Sequence, residues 1–229
     1  MALNIYGIQK LTLLDFPSKV ACTLFTYGCN FRCPFCHNKS LVTDKCDEPI
    51  AYQEIIDFLN SRKKMLDGIC LTGGEPLINN EVAEFFKDVR KLGLLIKLDT
   101  NGSFPEKLNE LINEGLVDYV AMDIKNCKDK YNETCGVKVN IENIEKSVDI
   151  IMNSNLNYEF RTTIVSEFHD NESIEKLGQW IKGAKAYYLQ NFVDNGNLVG
   201  KASGVSKEKM HEFLDIAKKY VPNSNIRGI

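Results

Sequence analysis

Three cysteines stand close together in Gly28-Cys29-Asn30-Phe31-Arg32-Cys33-Pro34-Phe35-Cys36-His37-Asn38. Their C-x₃-C-x₂-C spacing offers three thiolates from one loop to a single metal centre. Structural zinc sites and complete ferredoxin-type sites recruit four protein ligands. A set of three points instead to a [4Fe–4S] cubane, with three irons held by Cys29, Cys33 and Cys36 and the fourth open to a small molecule. An open iron permits chemistry at the cluster as well as electron storage. The competing reading is a zinc knuckle that borrows His37 or Cys46 as its fourth ligand.

Further polar groups recur along the chain. Gly73-Gly74-Glu75-Pro76 joins two residues that let backbone approach a ligand to a carboxylate that can accept from an ammonium group. Standing alone, that tetrapeptide would serve as any strand-to-helix turn. Asp99-Thr100-Asn101-Gly102 places a carboxylate before an Asn-Gly pair, which also reads as a capped turn. Asp123-Ile124-Lys125 sets a carboxylate beside an ammonium, and Arg161 puts charge inside a β-prone run. For Arg161 a surface salt bridge is the plain alternative to a ligand contact.

These groups need a scaffold that brings them together. The apolar run Val20 to Thr26 reads as a buried first strand, with the cysteine loop at its C-terminal end, where parallel α/β folds place their sites. The segment before it, Ile8 to Lys19, reads as a lead-in that turns at Pro17-Ser18. Periodicity then predicts strands over Gly68–Thr72, Leu94–Leu98, Val117–Met122, Asn157–Val165 and Ala186–Leu189. Helices are predicted over Pro49–Leu66, Glu81–Leu92, Pro105–Glu114, Ile141–Asn153, Ser173–Lys182 and Lys207–Tyr220, before a tail that could pair as an extra strand. Strand and helix alternate about six times, with each polar motif just after a strand. That pattern predicts an α/β protein, a parallel βα array in a single domain over residues 1–229.

The cysteine spacing resembles the radical S-adenosylmethionine superfamily, and the other motifs carry the likeness over nearly the whole chain. The resemblance implies a partial (βα)6 barrel of parallel strands. It also implies that the open iron chelates the amino and carboxylate groups of S-adenosylmethionine, and that one electron from the cluster cleaves the sulfonium to a 5′-deoxyadenosyl radical. Phe35 would line the adenine pocket, and Gly73, Gly74, Glu75 and Pro76 would hold the methionine amine. The D-T-N-G and D-x-K elements resemble those of glycyl-radical activating enzymes. There Lys125 would reach the cofactor carboxylate, and Asp99, Thr100, Asn101, Asp123 and Arg161 would contact the cofactor. In some relatives the two aspartates also help bind a monovalent cation.

Within that group the chain is most similar to the activating proteins of anaerobic ribonucleoside-triphosphate reductase. Gly7-Ile8-Gln9-Lys10, Leu14-Asp15-Phe16-Pro17, Phe25-Thr26 with Gly28-Cys29-Asn30, Cys36-His37-Asn38 and Leu189-Gln190-Asn191-Phe192 carry this likeness. It implies a reductase partner whose glycine Cα loses a hydrogen atom, and an electron donor such as flavodoxin or ferredoxin. Ser18 stands where glycine is usual, so a small backbone adjustment is expected there. The short stretch from Cys36 to Gly73 leaves no room for a ferredoxin-like insert. An open strand-end face is expected, rimmed by the loop before Ser18 and by Gln190 to Lys201, an Asn- and Gly-rich segment expected to order on docking. Two other functions compete: a radical enzyme acting on a small molecule, as in 7-carboxy-7-deazaguanine synthase, and a non-catalytic iron–sulfur or zinc protein.

Composition bounds these readings. The chain has 229 residues, of which 44% are hydrophobic and 26% charged, enough apolar material for a sizeable core. A net charge of −3 gives no basic footprint for nucleic acid. The absence of a long apolar run or a signal peptide predicts a cytoplasmic chain with no membrane segment, and an exposed iron predicts an oxygen-poor setting. Eight cysteines then read as metal ligands and buried thiols, not disulfides. Cys22 and Cys70 are expected in the core, and Cys127 and Cys135 are too few for a second cluster. His169 and His211 read as solvated, Trp180 as core packing, and His37 as important for its backbone more than its ring.

Overall fold

The computed structural model describes residues 3–43, 48–194 and 196–228; Cys46 and Asn195 lie outside them. Packing divides the chain into two compact units. The first contains Met1–Asn30, Ser40–Thr100 and Phe104–Val120; the second contains Phe31–Lys39, Asn101–Ser103 and Ala121–Ile229.

In the first unit, strand β1 (Ile5–Thr12) lies antiparallel to β2 (Ala21–Thr26). After the one-turn helix α1 (Lys39–Val42) and α2 (Tyr52–Arg62), strand β3 (Gly68–Gly73) pairs parallel to β2. Helix α3 (Val82–Lys91) leads to β4 (Leu95–Thr100), parallel to β3, and α4 (Pro105–Asn113) follows. β2 is buried almost throughout, as its unbroken apolar run requires of a parallel strand covered on both faces. α3 buries Val82, Phe85, Phe86 and Val89, a single stripe at helical spacing. β1 departs from the expected lead-in. Its residues are largely half-exposed or exposed and its pairing carries two register shifts, so no clean period of two marks it in the sequence.

Strand β5 (Tyr119–Asp123) begins in the first unit and ends in the second. A 3₁₀ turn and the short helix α5 (Tyr131–Cys135) follow, then α6 (Ile141–Asn153) and β6 (Asn157–Ile164). α7 (Asn171–Trp180), β7 (Tyr187–Asn191), α8 (Lys207–Lys218) and β8 (Ser224–Arg227) complete the second unit. β6, β7 and β8 are parallel, so the tail does pair as a strand. Arg227 secures it, donating to both Glu159 carboxylate oxygens at 2.6 and 2.8 Å with its guanidinium over the Tyr188 ring. Asp170 and Ser173 form a reciprocal cap that starts α7 two residues before the expected point.

Two sequence expectations change here. Asp99, Thr100 and Asp123 lie within the last residues of β4 and β5, not just after them. Carboxylates disfavour strands by propensity, but both aspartates have cationic partners on the same or a neighbouring segment, and that pairing overrides propensity. Ser18 makes no adjustment: it holds φ at 60°, the left-handed backbone that glycine adopts freely. An L-residue there costs roughly 1–2 kcal/mol, and glycine gives back roughly 0.5–1 kcal/mol in chain entropy. Ser18→Gly is therefore expected to stabilise the protein by about 0.5–1 kcal/mol, read as a rise in Tm of roughly 1–4 °C. A lower Tm would show that the serine is favoured at this turn. Among the described residues, no helix is long and apolar enough to cross a membrane.

Candidate functional site

The first unit carries Cys29 and the Gly73-Gly74-Glu75-Pro76 turn. The Gly74 N–H donates to the Thr26 carbonyl at 3.1 Å, and the Glu75 N–H donates to the Gly28 carbonyl at 2.8 Å. A Cβ on Gly73 would lie 2.2 Å from the Thr26 oxygen, and one on Gly74 would lie 1.9 Å from the Gly28 oxygen. The close approach that demands these glycines is thus between the end of β3 and the backbone that leads into Cys29. Glu75 is fully buried, and its Oε1 accepts from the Leu77 N–H at 3.1 Å and the Thr100 hydroxyl at 2.8 Å. Pro76 opens a 3₁₀ turn over Pro76–Ile78. Lys107, from α4, donates to the Leu77 carbonyl and Asn80 Oδ1 at 2.8 Å each, and to the Ile78 and Asn79 carbonyls at 3.3 and 3.4 Å. The carboxylate therefore sits in a turn held from both ends. Asp99, at the end of β4, is paired with buried Lys97.

The second unit carries Cys33, Phe35 and Cys36. Its loop is bound by Cys36 N–H to Cys33 carbonyl at 3.1 Å and Arg32 N–H to Cys135 carbonyl at 2.9 Å. A hydrogen bond from the Cys135 thiol, helped by nearby Lys125, holds the Cys33 thiol below its ordinary range despite burial. Burial pushes Cys36 up. Phe35 is buried and packs against Phe168, with ring centres 6.2 Å apart. The His37 ring stacks on Phe192 at 5.1 Å, so the ring has a packing role the sequence did not suggest. The Gly200 N–H donates to the Pro34 carbonyl at 2.8 Å, and Ser203 binds Ser166 and Glu167 through its backbone. The late Asn- and Gly-rich segment is therefore tied to the cysteine loop before any docking.

Asp123 is the hub of the second unit's charges. Its Oδ1 accepts from Arg161 Nε at 2.8 Å and its Oδ2 from Lys125 Nζ at 3.0 Å. Burial opposes the carboxylate charge, but Arg161 and Lys125 together hold it well below the usual range. Burial likewise opposes the Lys125 charge, and Asp123 more than offsets it. Arg161 is thus an interior partner of Asp123, not a surface ion pair. Asn101 Oδ1 accepts from the Ser103 N–H at 2.9 Å, the capped-turn arrangement.

Some features were not legible. His169 is buried, not solvated. The Lys125 carbonyl can only accept, so Nε2 carries the proton and donates to it at 3.0 Å, while Nδ1 accepts from the Val165 N–H at 3.2 Å. Burial lowers its pKa, so the neutral ring serves as a brace behind Lys125. His211 is exposed, as expected. Trp180 is half-buried, edge-on to the buried Tyr131 at 6.2 Å. Cys135 meets Cys33 although 102 residues separate them in sequence, so no spacing rule would find it. Lys97 and Lys107 do have a signal: one is the single cation of an otherwise largely apolar strand, the other a lysine at the start of the helix that follows D-T-N-G.

Among the described residues no group of three or more His, Cys, Asp or Glu side chains is already gathered around a metal position, so the fit to an iron–sulfur cluster is one of donor type. Cys22, Cys29, Cys33, Cys36, Cys70, Cys127 and Cys135 are not in disulfides, and soft thiolates suit iron. Ligation needs the thiolate, and the surroundings of Cys33 favour it.

A family model described as the Radical SAM superfamily matches residues 23–181. The chain is 36% identical over 234 residues to MJ1227 of Methanocaldococcus jannaschii, which by name is assigned to the glycyl-radical enzyme activating enzymes; the match covers 97% of this chain and 95% of that protein. It is 26% identical over 237 residues to the pyruvate formate-lyase-activating enzyme of Clostridium pasteurianum, covering 92% and 96%. A solved radical SAM methyltransferase from Sphaerobacter thermophilus shares the fold, with a TM-score of 0.75 at 15% identity over 95% of this chain and 68% of that one.

Proposed function

This chain belongs to the radical S-adenosylmethionine superfamily, whose α/β fold it has and whose members use a [4Fe–4S] cluster and S-adenosylmethionine, and from that premise we propose that it generates a glycyl radical on anaerobic ribonucleoside-triphosphate reductase. The end-to-end likeness to MJ1227, a protein of nearly the same length, supports glycyl-radical activation; the choice of reductase rests on the motif likeness of Gly7-Ile8-Gln9-Lys10 and Leu14-Asp15-Phe16-Pro17. When bound, cluster and cofactor supply a 5′-deoxyadenosyl radical that takes a hydrogen atom from a glycine Cα. Cys29, Cys33 and Cys36 hold three irons. Glu75, fixed by Leu77 and Thr100, accepts from the cofactor ammonium, with Gly73, Gly74 and Pro76 shaping the turn. Lys125, kept cationic by Asp123, binds the cofactor carboxylate, and Arg161 holds Asp123 in place. Phe35 lines the adenine site, and Asp99, Thr100 and Asn101 complete the cofactor contacts. A small one-electron carrier such as flavodoxin or ferredoxin would supply the electron.

A protein substrate is favoured over a small molecule by one surface feature. Leu11, Leu13 and Leu14 are 59, 66 and 89% exposed. Their loop is anchored, since Thr12 Oγ1 accepts from the Leu14 and Asp15 amides at 3.2 Å and Thr23 donates to Asp15 at 2.5 Å. An anchored loop that presents leucines to water suits a protein surface. Leu13→Asp combined with Leu14→Asp should leave reductive cleavage of S-adenosylmethionine intact and abolish the glycyl radical doublet on co-incubated reductase. Cleavage with no doublet from the unaltered protein would remove the reductase assignment and favour a small-molecule substrate.

A further inference from the structure

Lys97 is a charge that the proposed cofactor contacts leave unexplained. It lies in β4 between Ile96 and Leu98 and is 1% exposed. Lysine is almost never fully buried unless it is paired. Its strand neighbour is Cys70 of β3, and Asp99 follows two residues on, on the same face. Lys97 Nζ donates to Asp99 Oδ1 and, at 3.6 Å, to Cys70 Sγ; Cys70 Sγ is 3.6 Å from the same carboxylate oxygen. The Tyr119 ring centre lies 6.0 Å from the ammonium. The Lys97 side chain is 2% exposed and that of Asp99 14%, so the ammonium lies deep and the carboxylate lies at the strand end.

Resemblance assigns Asp99 and Asp123 to a monovalent cation in some relatives. The residues present here do not fit one. Asp99 is answered by Lys97, and Asp123, considered by itself, is answered by both Lys125 and Arg161. A potassium or sodium ion brought to Asp99 would meet an ammonium already bound to that carboxylate, and like charges at close range in a poorly solvated site repel strongly. We infer that the Lys97 ammonium is the resident cation of Asp99: it positions the carboxylate at the end of β4 and takes the place of a free monovalent metal ion. This rests on the reading that Asp99 serves the S-adenosylmethionine site, and it makes Lys97 a positioning residue.

The test uses cluster-loaded full-length protein in a buffer whose only cation is N-methylglucamine. Sodium binding is followed by ²³Na relaxation without S-adenosylmethionine, and cofactor affinity is measured with and without added KCl. The unaltered protein should show no saturable sodium binding at Asp99 and no potassium effect on affinity. Lys97→Met should create a sodium site and lose about tenfold in cofactor affinity, restored by KCl. Lys97→Arg, which keeps a cation, should remain indifferent to salt. The double variant Lys97→Met with Asp99→Asn, which leaves no charge behind, should bind no sodium. Should Lys97→Met not fold, the unaltered protein, Lys97→Arg and the double variant still decide. Saturable sodium binding to the unaltered protein that Asp99→Asn removes would overturn the inference, as would a folded Lys97→Met that ignores both ions. Failure of the unaltered protein to bind S-adenosylmethionine would sink the proposed function, while the sodium titration would still decide the role of Lys97.

Discussion

Replacing Cys29, Cys33 or Cys36 with alanine is expected to abolish the site-differentiated [4Fe–4S] signal and, with it, all cleavage of S-adenosylmethionine. In the proposed three-ligand set each thiolate would hold its own iron, so no remaining ligand could substitute within the loop. The remaining thiols give the contrast. Burial pushes the Cys22 thiol up to about 12, so it is neutral and inert at any working pH. An unfolded thiol ionises near 9, so the stability owed to a neutral Cys22 is full below that pH and fades as pH rises toward 12. Cys70 is held in the Lys97 and Asp99 cluster, and Cys127 is buried. Exchanging Cys22, Cys46, Cys70 or Cys127 should leave the signal. The demanding control is Cys135→Ala, because the Cys135 thiol hydrogen-bonds to Cys33. Cluster assembly should survive it. The measurements are iron and sulfide content, with electron paramagnetic resonance of anaerobically reconstituted, reduced protein with and without S-adenosylmethionine. Loss of the cluster in Cys135→Ala as complete as in Cys33→Ala would mean that a fourth protein thiolate closes the set and that no iron is open.

Glu75→Ala should keep the cluster and weaken S-adenosylmethionine binding by about one to two orders of magnitude, the worth of a charge-assisted hydrogen bond of roughly 1.5–3 kcal/mol. The alanine variant also strips an acceptor from the Leu77 amide and the Thr100 hydroxyl, both buried with it, so a fall in Tm should accompany the lost affinity. Glu75→Gln separates the two effects. The amide oxygen can still accept from Leu77 and Thr100, so Tm should hold while affinity drops for want of charge. Lys125→Ala should act at the other end of the cofactor, with Asp123 still held by Arg161. Wild-type affinity in Glu75→Ala and Lys125→Ala alike would reduce both motifs to turns.

Much of this protein is determined by local sequence. The buried run Ala21–Thr26, the apolar stripe of α3 and the cap at Asp170 follow from periodicity and side-chain chemistry over a few residues, so the βα alternation can be read directly. The cysteine spacing and the Gly73-Gly74-Glu75-Pro76 turn are likewise contiguous, and their chemistry is legible because the donors are neighbours in the chain. What the tertiary structure decided is which charges meet. Lys97 and Arg161 look alike in sequence, each a lone cation in an apolar strand. Lys97 meets Asp99 two residues on along its own strand, whereas Arg161 reaches Asp123 across a long separation. His169 became a buried brace because its ring lands on the Lys125 carbonyl, and Cys135 came to Cys33 only through folding. The close approach at Gly73 and Gly74 proved to be of backbone to backbone. The Lys97–Asp99 and Lys125–Asp123 pairs are local, but Arg161, His169 and Cys135 take their partners from segments distant in sequence, and no periodicity within one segment encodes those meetings.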